Sequence, residues 1–281
     1  MLKKIKNFLE LVAFQHTIFS SSFILIAMVV AAKGWFGFEV LFFSSIALIS
    51  ARNFAMAFNR YVDIKFDKNN PRTKNRPSID GRITKKSLIF FIIFNALIFI
   101  LISYFINSLA LYLSFPFLFI LGVYSYFKRF SVLAHFILGL SLGLAPIAGA
   151  IVVLGEIPFW CVALAFGVLF WVAGFDLLYS LQDIEFDREN FLFSIPAKYG
   201  IKTTLLISRI SHILACLFWL VFVYYSSGGL FAYIGVLVSI FILFYEHCLV
   251  KNNLLNIPKA FFQTNGYLGI IFLIFIILDN L

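Results

Sequence analysis

The feature that most constrains this chain is a succession of apolar runs with almost nothing charged inside them. About 20 mostly apolar residues make a helix long enough to cross a hydrocarbon slab of about 30 Å. Inside that slab every backbone polar group must be satisfied by the chain itself, which leaves helices or closed barrels. Laid along the 281 residues, this ruler predicts nine spanning helices, at roughly 11–32, 38–58, 87–106, 109–127, 132–154, 158–180, 204–226, 230–250 and 262–280. The expected fold class is all-α, a polytopic membrane protein. The runs leave no room for a separate soluble part, so residues 1–281 are read as one transmembrane domain. The charge content supports this, since only 12% of residues are charged where a soluble domain carries about 25%.

A formal charge of +9 suggests nucleic acid only if the basic residues are spread over an exposed surface. They are not. With a cytoplasmic N-terminus, all but three of the 22 Lys and Arg residues fall on the inner side; Lys33 lies outside, and Arg52 and Arg209 fall within helices. The positive-inside rule then sets the orientation in a bacterial-type cytoplasmic (inner) membrane, and the partner implied is the lipid bilayer, with no nucleic acid. Nine spans place the C-terminus outside. Lys3, Lys4 and Lys6 lead into a long helix without a small-residue cleavage site, so the N-terminus is expected to be retained. Cys161, Cys216 and Cys248 lie in apolar runs, odd in number and without metal spacing, and read as packing residues.

The two longest connections, about 59–86 and 181–203, are both on the inner side and begin alike, Asp63-Ile-Lys-Phe-Asp67 and Asp183-Ile-Glu-Phe-Asp187. On a helix of 3.6 residues per turn, Arg52, Asn59, Asp63 and Asp67 share one face, as do Asp176, Tyr179, Asp183 and Asp187. Any one aspartate at a helix end reads equally as a solvated boundary residue. Four in two matched pairs repel one another unless a cation intervenes, and hard oxygen ligands suit Mg²⁺, which completes its shell with water and substrate phosphate. Arg72, Lys74 and Arg76 follow the first pair and supply further positive charge for a diphosphate, although an ordinary positive-inside loop is also basic. The fork of arginine favours Arg72 and Arg76 in that role.

Arg52 and Asp176 are the deepest charges on the two stripes, each about 10 Å inward by helical rise. A charge at that depth costs about 2.5–3.5 kcal/mol and calls for a partner. Either the two pair with one another, or Arg52 receives an acidic acceptor while Asp176 orients it or pairs with a second base. Tyr124 and Lys128, one turn apart, either reach a phosphate or anchor their helix at the headgroups. His16, His135, His212 and His247 sit on four different helices, and with Glu246 and Arg209 they read as isolated and receive no catalytic role. Gly139, Gly143, Pro146 and Gly149 read as small-residue packing with a kink.

Asn59-Arg-Tyr-Val-Asp63-Ile-Lys-Phe-Asp67 with Arg72-Thr-Lys-Asn-Arg-Pro77, and Asp176-Leu-Leu-Tyr179-Ser-Leu-Gln-Asp183-Ile-Glu-Phe-Asp187, resemble the two motifs of the UbiA superfamily of intramembrane aromatic prenyltransferases over nearly the whole chain. The resemblance implies a nine-helix bundle around a central cavity, with Asp63, Asp67, Asp183 and Asp187 holding Mg²⁺ and Asn59 assisting at the diphosphate. It also implies that Arg52 lines the acceptor cavity and that Tyr124 and Lys128 approach the diphosphate. Arg60 departs from the motif, since the ubiquinone enzymes usually carry aspartate there; it resembles instead the branch beside the futalosine route to menaquinone.

The expected function is transfer of a polyprenyl group from a polyprenyl diphosphate to an aromatic acceptor of the 4-hydroxybenzoate kind in quinone biosynthesis, with Mg²⁺ as cofactor. The futalosine-route enzyme is the alternative. A non-enzyme, a transporter with acidic gates, would distribute ionisable residues through the membrane, whereas here the four key carboxylates gather at one surface. The D-G-x-x-A-R signature of the CDP-alcohol phosphotransferases is absent.

Overall fold

A computed structural model describes residues 2–13 and 17–281; His16 lies outside the described residues. The described residues form helices joined by turns and loops, with no strand among them. In order they are α1 (Leu2–Leu11), α2 (Thr17–Ala32), α3 (Phe38–Val62), α4 (Ile64–Asp67), α5 (Lys85–Ile106), α6 (Ser108–Val123), a 3₁₀ stretch Tyr124–Arg129, α7 (Ala134–Leu154), α8 (Phe159–Ser180), a 3₁₀ turn Leu181–Asp183, α9 (Ile184–Glu189), α10 (Ile195–Tyr225), α11 (Leu230–Asn252), a 3₁₀ turn Leu254–Asn256, α12 (Ile257–Lys259), a π turn Ala260–Thr264 and α13 (Asn265–Asp279).

Seven of the nine expected spans are helices long and apolar enough to cross a membrane. The other two are shorter apolar helices, Ser21–Ala32 and Asn265–Asp279. The first run departs from expectation because the lysine-rich start is a separate amphipathic helix, α1, which ends before a left-handed Ala13 (φ 46°). Polar side chains at helix starts set several boundaries: Thr84 accepts from Ser87 N at 3.2 Å, Asn107 from Ala110 N at 2.8 Å and Ser194 from Ala197 N at 3.3 Å. Helix α10 starts inside the expected inner loop and kinks at Gly200, whose φ of 77° no other residue adopts cheaply.

The chain divides into two units, one of Met1–Thr17 with Leu41–Tyr126, the other of Ile18–Val40 with Phe127–Leu281. In the first, Leu11, Val12, Ala57, Ile83, Leu88 and Ile92 form the core, and Arg82 ties α1 to the long loop by bonds to Glu10 at 2.6 and 2.7 Å and to Asp80 at 2.6 Å. Glu10 first and Asp80 second raise the Arg82 pKa above its usual value.

In the second unit, Phe23, Trp171, Trp219, Phe222 and Phe272 make a fully buried aromatic core. Helices α7 and α8 meet almost backbone to backbone. A Cβ on Gly139 would stand 2.2 Å from Leu169 O, and one on Gly143 2.8 Å from Ala165 O. Between helices in lipid, such close packing supplies much of the association that water exclusion supplies elsewhere. Phe90, Phe94, Leu97, Tyr112, Phe119, Phe241 and Phe244 are exposed on long apolar helices, as lipid-facing residues are.

Gly139→Ala is therefore expected to destabilise the protein by about 1–3 kcal/mol through overpacking. Gly122→Ala, whose Cβ would meet Phe58 at an ordinary 3.7 Å, should be within about 0.5 kcal/mol of wild type. Melting in detergent checks the pair, and equal melting temperatures would contradict the packing account.

Candidate functional site

Both acidic motifs form at a break in a helix. Helix α3 stops at Val62, Asp63 adopts φ −90° and ψ 5°, and α4 begins at the next residue. Helix α8 tightens through its 3₁₀ turn, Asp183 adopts φ −108° and ψ 11°, and α9 follows. The straight-helix ruler therefore fails at the first aspartate of each motif: the residues after it are redirected, and the shared face expected from 3.6 residues per turn ends there. The break is the same both times, and it buries the second aspartate of each motif, Asp67 (6% exposed) and Asp187 (2%).

In the first unit the motif is wrapped in donors. Asn59 Nδ2 donates to Asp63 Oδ2 at 2.9 Å, and Arg60 Nη1 donates to Asn59 Oδ1 at 2.9 Å. Arg76 Nη1 pairs with Asp67 Oδ2 at 2.6 Å, and Thr73 Oγ1 donates to the Asp67 carbonyl at 2.9 Å. Arg72 N is fixed by Asn70 Oδ1 at 2.9 Å; Arg72 and Lys74 are exposed on the same loop. Tyr124 lies within electrostatic range of Arg60, Asp63 and Arg52. Arg60, which the helical arc puts off the stripe, is thus turned back into it, and the charges of Asp63, Asp67 and Arg76 act on it. Sequence reading missed this because a guanidinium reaches further than its Cα position suggests.

Arg52 donates to the carbonyls of Ala13 at 3.0 Å and Val12 at 3.4 Å, just past the end of α1. A cation there meets carbonyls left without a helical partner. Asp176 finds a neighbour on α7: His135 Nδ1 stands 2.7 Å from Asp176 Oδ2. Each of the two deep charges is therefore hydrogen-bonded within its own unit. Tyr179 lies against Phe261 with ring centroids 4.2 Å apart.

In the second unit Lys128 approaches Asp187 Oδ2 at 3.7 Å, while its carbonyl accepts from Phe193 N at 2.6 Å. At 3.7 Å this is an ion pair without a hydrogen bond, so Asp187 Oδ2 stays buried with no hydrogen-bond partner. A buried, unbonded carboxylate oxygen suits a hard cation. Among the described residues, no three His, Cys, Asp or Glu side chains are grouped as a cage for one ion. The donor set fits Mg²⁺, which takes one or two carboxylates and leaves the rest of its shell to water and phosphate.

The expectation of isolation is corrected at five residues. His135 bonds Asp176, His212 Nδ1 and His247 Nε2 are 2.9 Å apart, and Glu246 Oε1 accepts from Asn265 Nδ2 at 2.9 Å. Arg209 acts electrostatically on His247. The pairs join residues 19 to 41 positions apart, beyond any local spacing rule; intramembrane polarity itself was the available signal.

An all-helical polytopic membrane scaffold with two matched acidic breaks, one backed by guanidinium groups, defines a class of membrane enzyme. Residues 20–275 match the UbiA prenyltransferase family, to which the chain belongs; it is a prenyltransferase. It is similar to the 4-hydroxybenzoate octaprenyltransferase of Francisella tularensis subsp. novicida, 27% identical over 91% of this chain and 89% of that one. Its likeness to the enzyme of the same name from Vibrio campbellii is 28% over 88% and 87%. Among solved structures it resembles the apo form of a UbiA homolog from Aeropyrum pernix, with a TM-score of 0.85 and 30% identity over 95% of this chain and 98% of that one. A UbiA homolog from Archaeoglobus fulgidus, solved with DMAPP and Mg²⁺, shares the fold at TM-score 0.78 and 16% identity over 96% and 99%.

If Asp187 awaits a cation, Mg²⁺ with pyrophosphate at about 100 times its dissociation constant adds about 2.7 kcal/mol. For a chain of this length that raises the melting temperature by roughly 5 °C. Asp187→Asn should remove the shift. The same shift in wild type and variant would contradict a metal role for this carboxylate.

Proposed function

We propose that this prenyltransferase moves a polyprenyl group from a polyprenyl diphosphate to an aromatic acceptor in quinone biosynthesis, and that the two acidic motifs serve one Mg²⁺–diphosphate site. The observation that carries the proposal is the repeated break at Asp63 and Asp183, each followed by a buried aspartate four residues on. Two such features at the inner ends of membrane helices suit a substrate whose tail belongs in lipid and whose head belongs at the surface.

Mg²⁺ held by Asp63, Asp67, Asp183 and Asp187 would supply positive charge to the departing diphosphate. Around it, Asn59 holds Asp63 in place, and Arg72, Lys74, Arg76, Tyr124 and Lys128 bind the phosphate oxygens, the guanidinium groups two at a time. Charge placed on the leaving group in advance is where the protein lowers the barrier. Arg52, Asp176 and Tyr179, deeper on the same helices, receive and orient the acceptor. The acceptor reading is 4-hydroxybenzoate-like, on the strength of the relatives' names. The arginine at position 60, where the ubiquinone enzymes usually carry aspartate, supports a second reading in which the chemistry is kept and the acceptor belongs to the futalosine route to menaquinone. The charge distribution supports a cytoplasmic N-terminus, nine spans and an inner-membrane location.

Purified protein given labelled geranyl diphosphate, Mg²⁺ and a panel of aromatic acceptors should yield a prenylated ring. EDTA should abolish turnover. Asp63→Asn and Asp183→Asn should each lose at least about 99% of it, a barrier increase of roughly 2.7 kcal/mol, while staying folded; full activity in either would contradict a shared site. Arg52→Met should raise the acceptor KM about tenfold, or 1.4 kcal/mol, and leave the prenyl diphosphate KM unchanged.

A further inference from the structure

The pair His135 and Asp176 has no part in handling the diphosphate, yet it is a built feature. His135 is in the first turn of α7 and is fully buried; Asp176 is on α8, two helical turns before Asp183, and keeps 19% of its side-chain surface open. The two meet because Gly139, one turn after His135, lets α7 lie against the Leu169 carbonyl of α8. His135 Nε2 has no hydrogen-bond partner. A buried N–H left unbonded costs more than a buried lone pair. The tautomer that fits carries its proton on Nδ1 and donates it to Asp176 Oδ2. One carboxylate oxygen is thereby fixed from behind by a rigid ring while part of the side chain stays open.

A carboxylate in a membrane helix that keeps an open side faces the interior of the bundle or a water-filled cavity, where such groups mark substrate or proton paths. An open carboxylate with a fixed donor behind it is the arrangement that accepts a proton from a bound molecule and holds the charge steady while doing so. We propose that Asp176 takes the proton released when the acceptor ring is prenylated, and that His135 is its positioning residue. This rests on the proposed aromatic prenyl transfer and adds the step that reading leaves open. The ring carbon bonds to the allylic carbon, the carbon–oxygen bond to the diphosphate breaks with its electron pair on the diphosphate, and the ring then loses the proton of the substituted carbon. That proton goes to the open side of the Asp176 carboxylate, against the Nδ1–H of His135, and leaves to water with the product.

The test is a kinetic isotope effect. The protein is given geranyl diphosphate and Mg²⁺ with 4-hydroxybenzoate, either unlabelled or deuterated at the two ring positions beside the hydroxyl. With Asp176 in place ring-proton loss is fast, so wild type should show an effect near 1. His135→Phe should lower kcat by about 10- to 100-fold and expose a primary isotope effect of about 2 or more, with the prenyl diphosphate KM unchanged. His135→Asn, which can still donate to Asp176, should recover much of kcat and suppress the effect. Asp176→Asn should be slower than either. Retained prenyl diphosphate binding establishes that each variant is folded. If kcat falls in all three variants with the isotope effect still near 1, or if His135→Asn is no better than His135→Phe, the pair only braces α7 against α8 and the proposal is overturned. A wild type that prenylates no aromatic acceptor overturns the underlying reading, and this one with it.

Discussion

A carboxylate withdrawn from water must meet a donor, a cation or a proton, and nearly every special feature of this molecule follows from where its few acids are placed. With 13 Asp and Glu among 281 residues, the chain keeps most acids at helix ends and gives the inner ones specific company. Asp67 has Arg76, Asp176 has His135 and Glu246 has Asn265. Asp279 accepts from Gly229 N at 2.7 Å and so closes the start of α11 from fifty residues away. Among the described acids, Asp187 Oδ2 and Glu246 Oε2 are each buried with no hydrogen-bond partner, and Asp187 has beside that oxygen a lysine too distant to hydrogen-bond. Of the two, Asp187 is in a matched acidic motif.

The close contact of α7 and α8 stands behind the same economy. Small residues at 139 and 143 bring the backbones together, and glycine also makes room on α8, where a Cβ at Gly174 would stand 2.2 Å from the His212 ring. Trp171, near the same stretch, donates to Asn265 at 2.8 Å, and Asn265 in turn donates to Glu246. Four helices, α8, α10, α11 and α13, are thus joined by polar bonds where water is excluded. Such bonds fix register more than they add net stability.

Much of this was legible in the sequence because the dominant signals are local. Hydropathy over a span, basic loops and the repeated Asp-Ile-x-Phe-Asp string each sit within a window that a helix ruler can read, and seven of the nine runs are long apolar helices. The ruler failed where the backbone stops obeying it. Asp63 and Asp183 are hinges, so the residues after them could not be placed by counting 100° per residue. It failed again where a partner comes from far along the chain. His135 looked isolated because Asp176 is 41 residues away, and Arg52 found the carbonyls of Val12 and Ala13, which no pattern of charges announces. Arg60 is about 100° off the stripe by its place on the helix, and its long side chain reaches back to Asn59.

The central claim is that the two motifs act on one metal–diphosphate complex, and a double-mutant cycle tests it most directly. Binding of Mg²⁺ and a geranyl diphosphate analogue is measured by calorimetry for wild type, Asp67→Asn, Asp187→Asn and the double variant. One shared site predicts that each single change removes most of the affinity and that the double is little worse than either alone, a coupling of about 1 kcal/mol or more. Losses that add within about 0.5 kcal/mol would mean two independent sites, and would contradict the account.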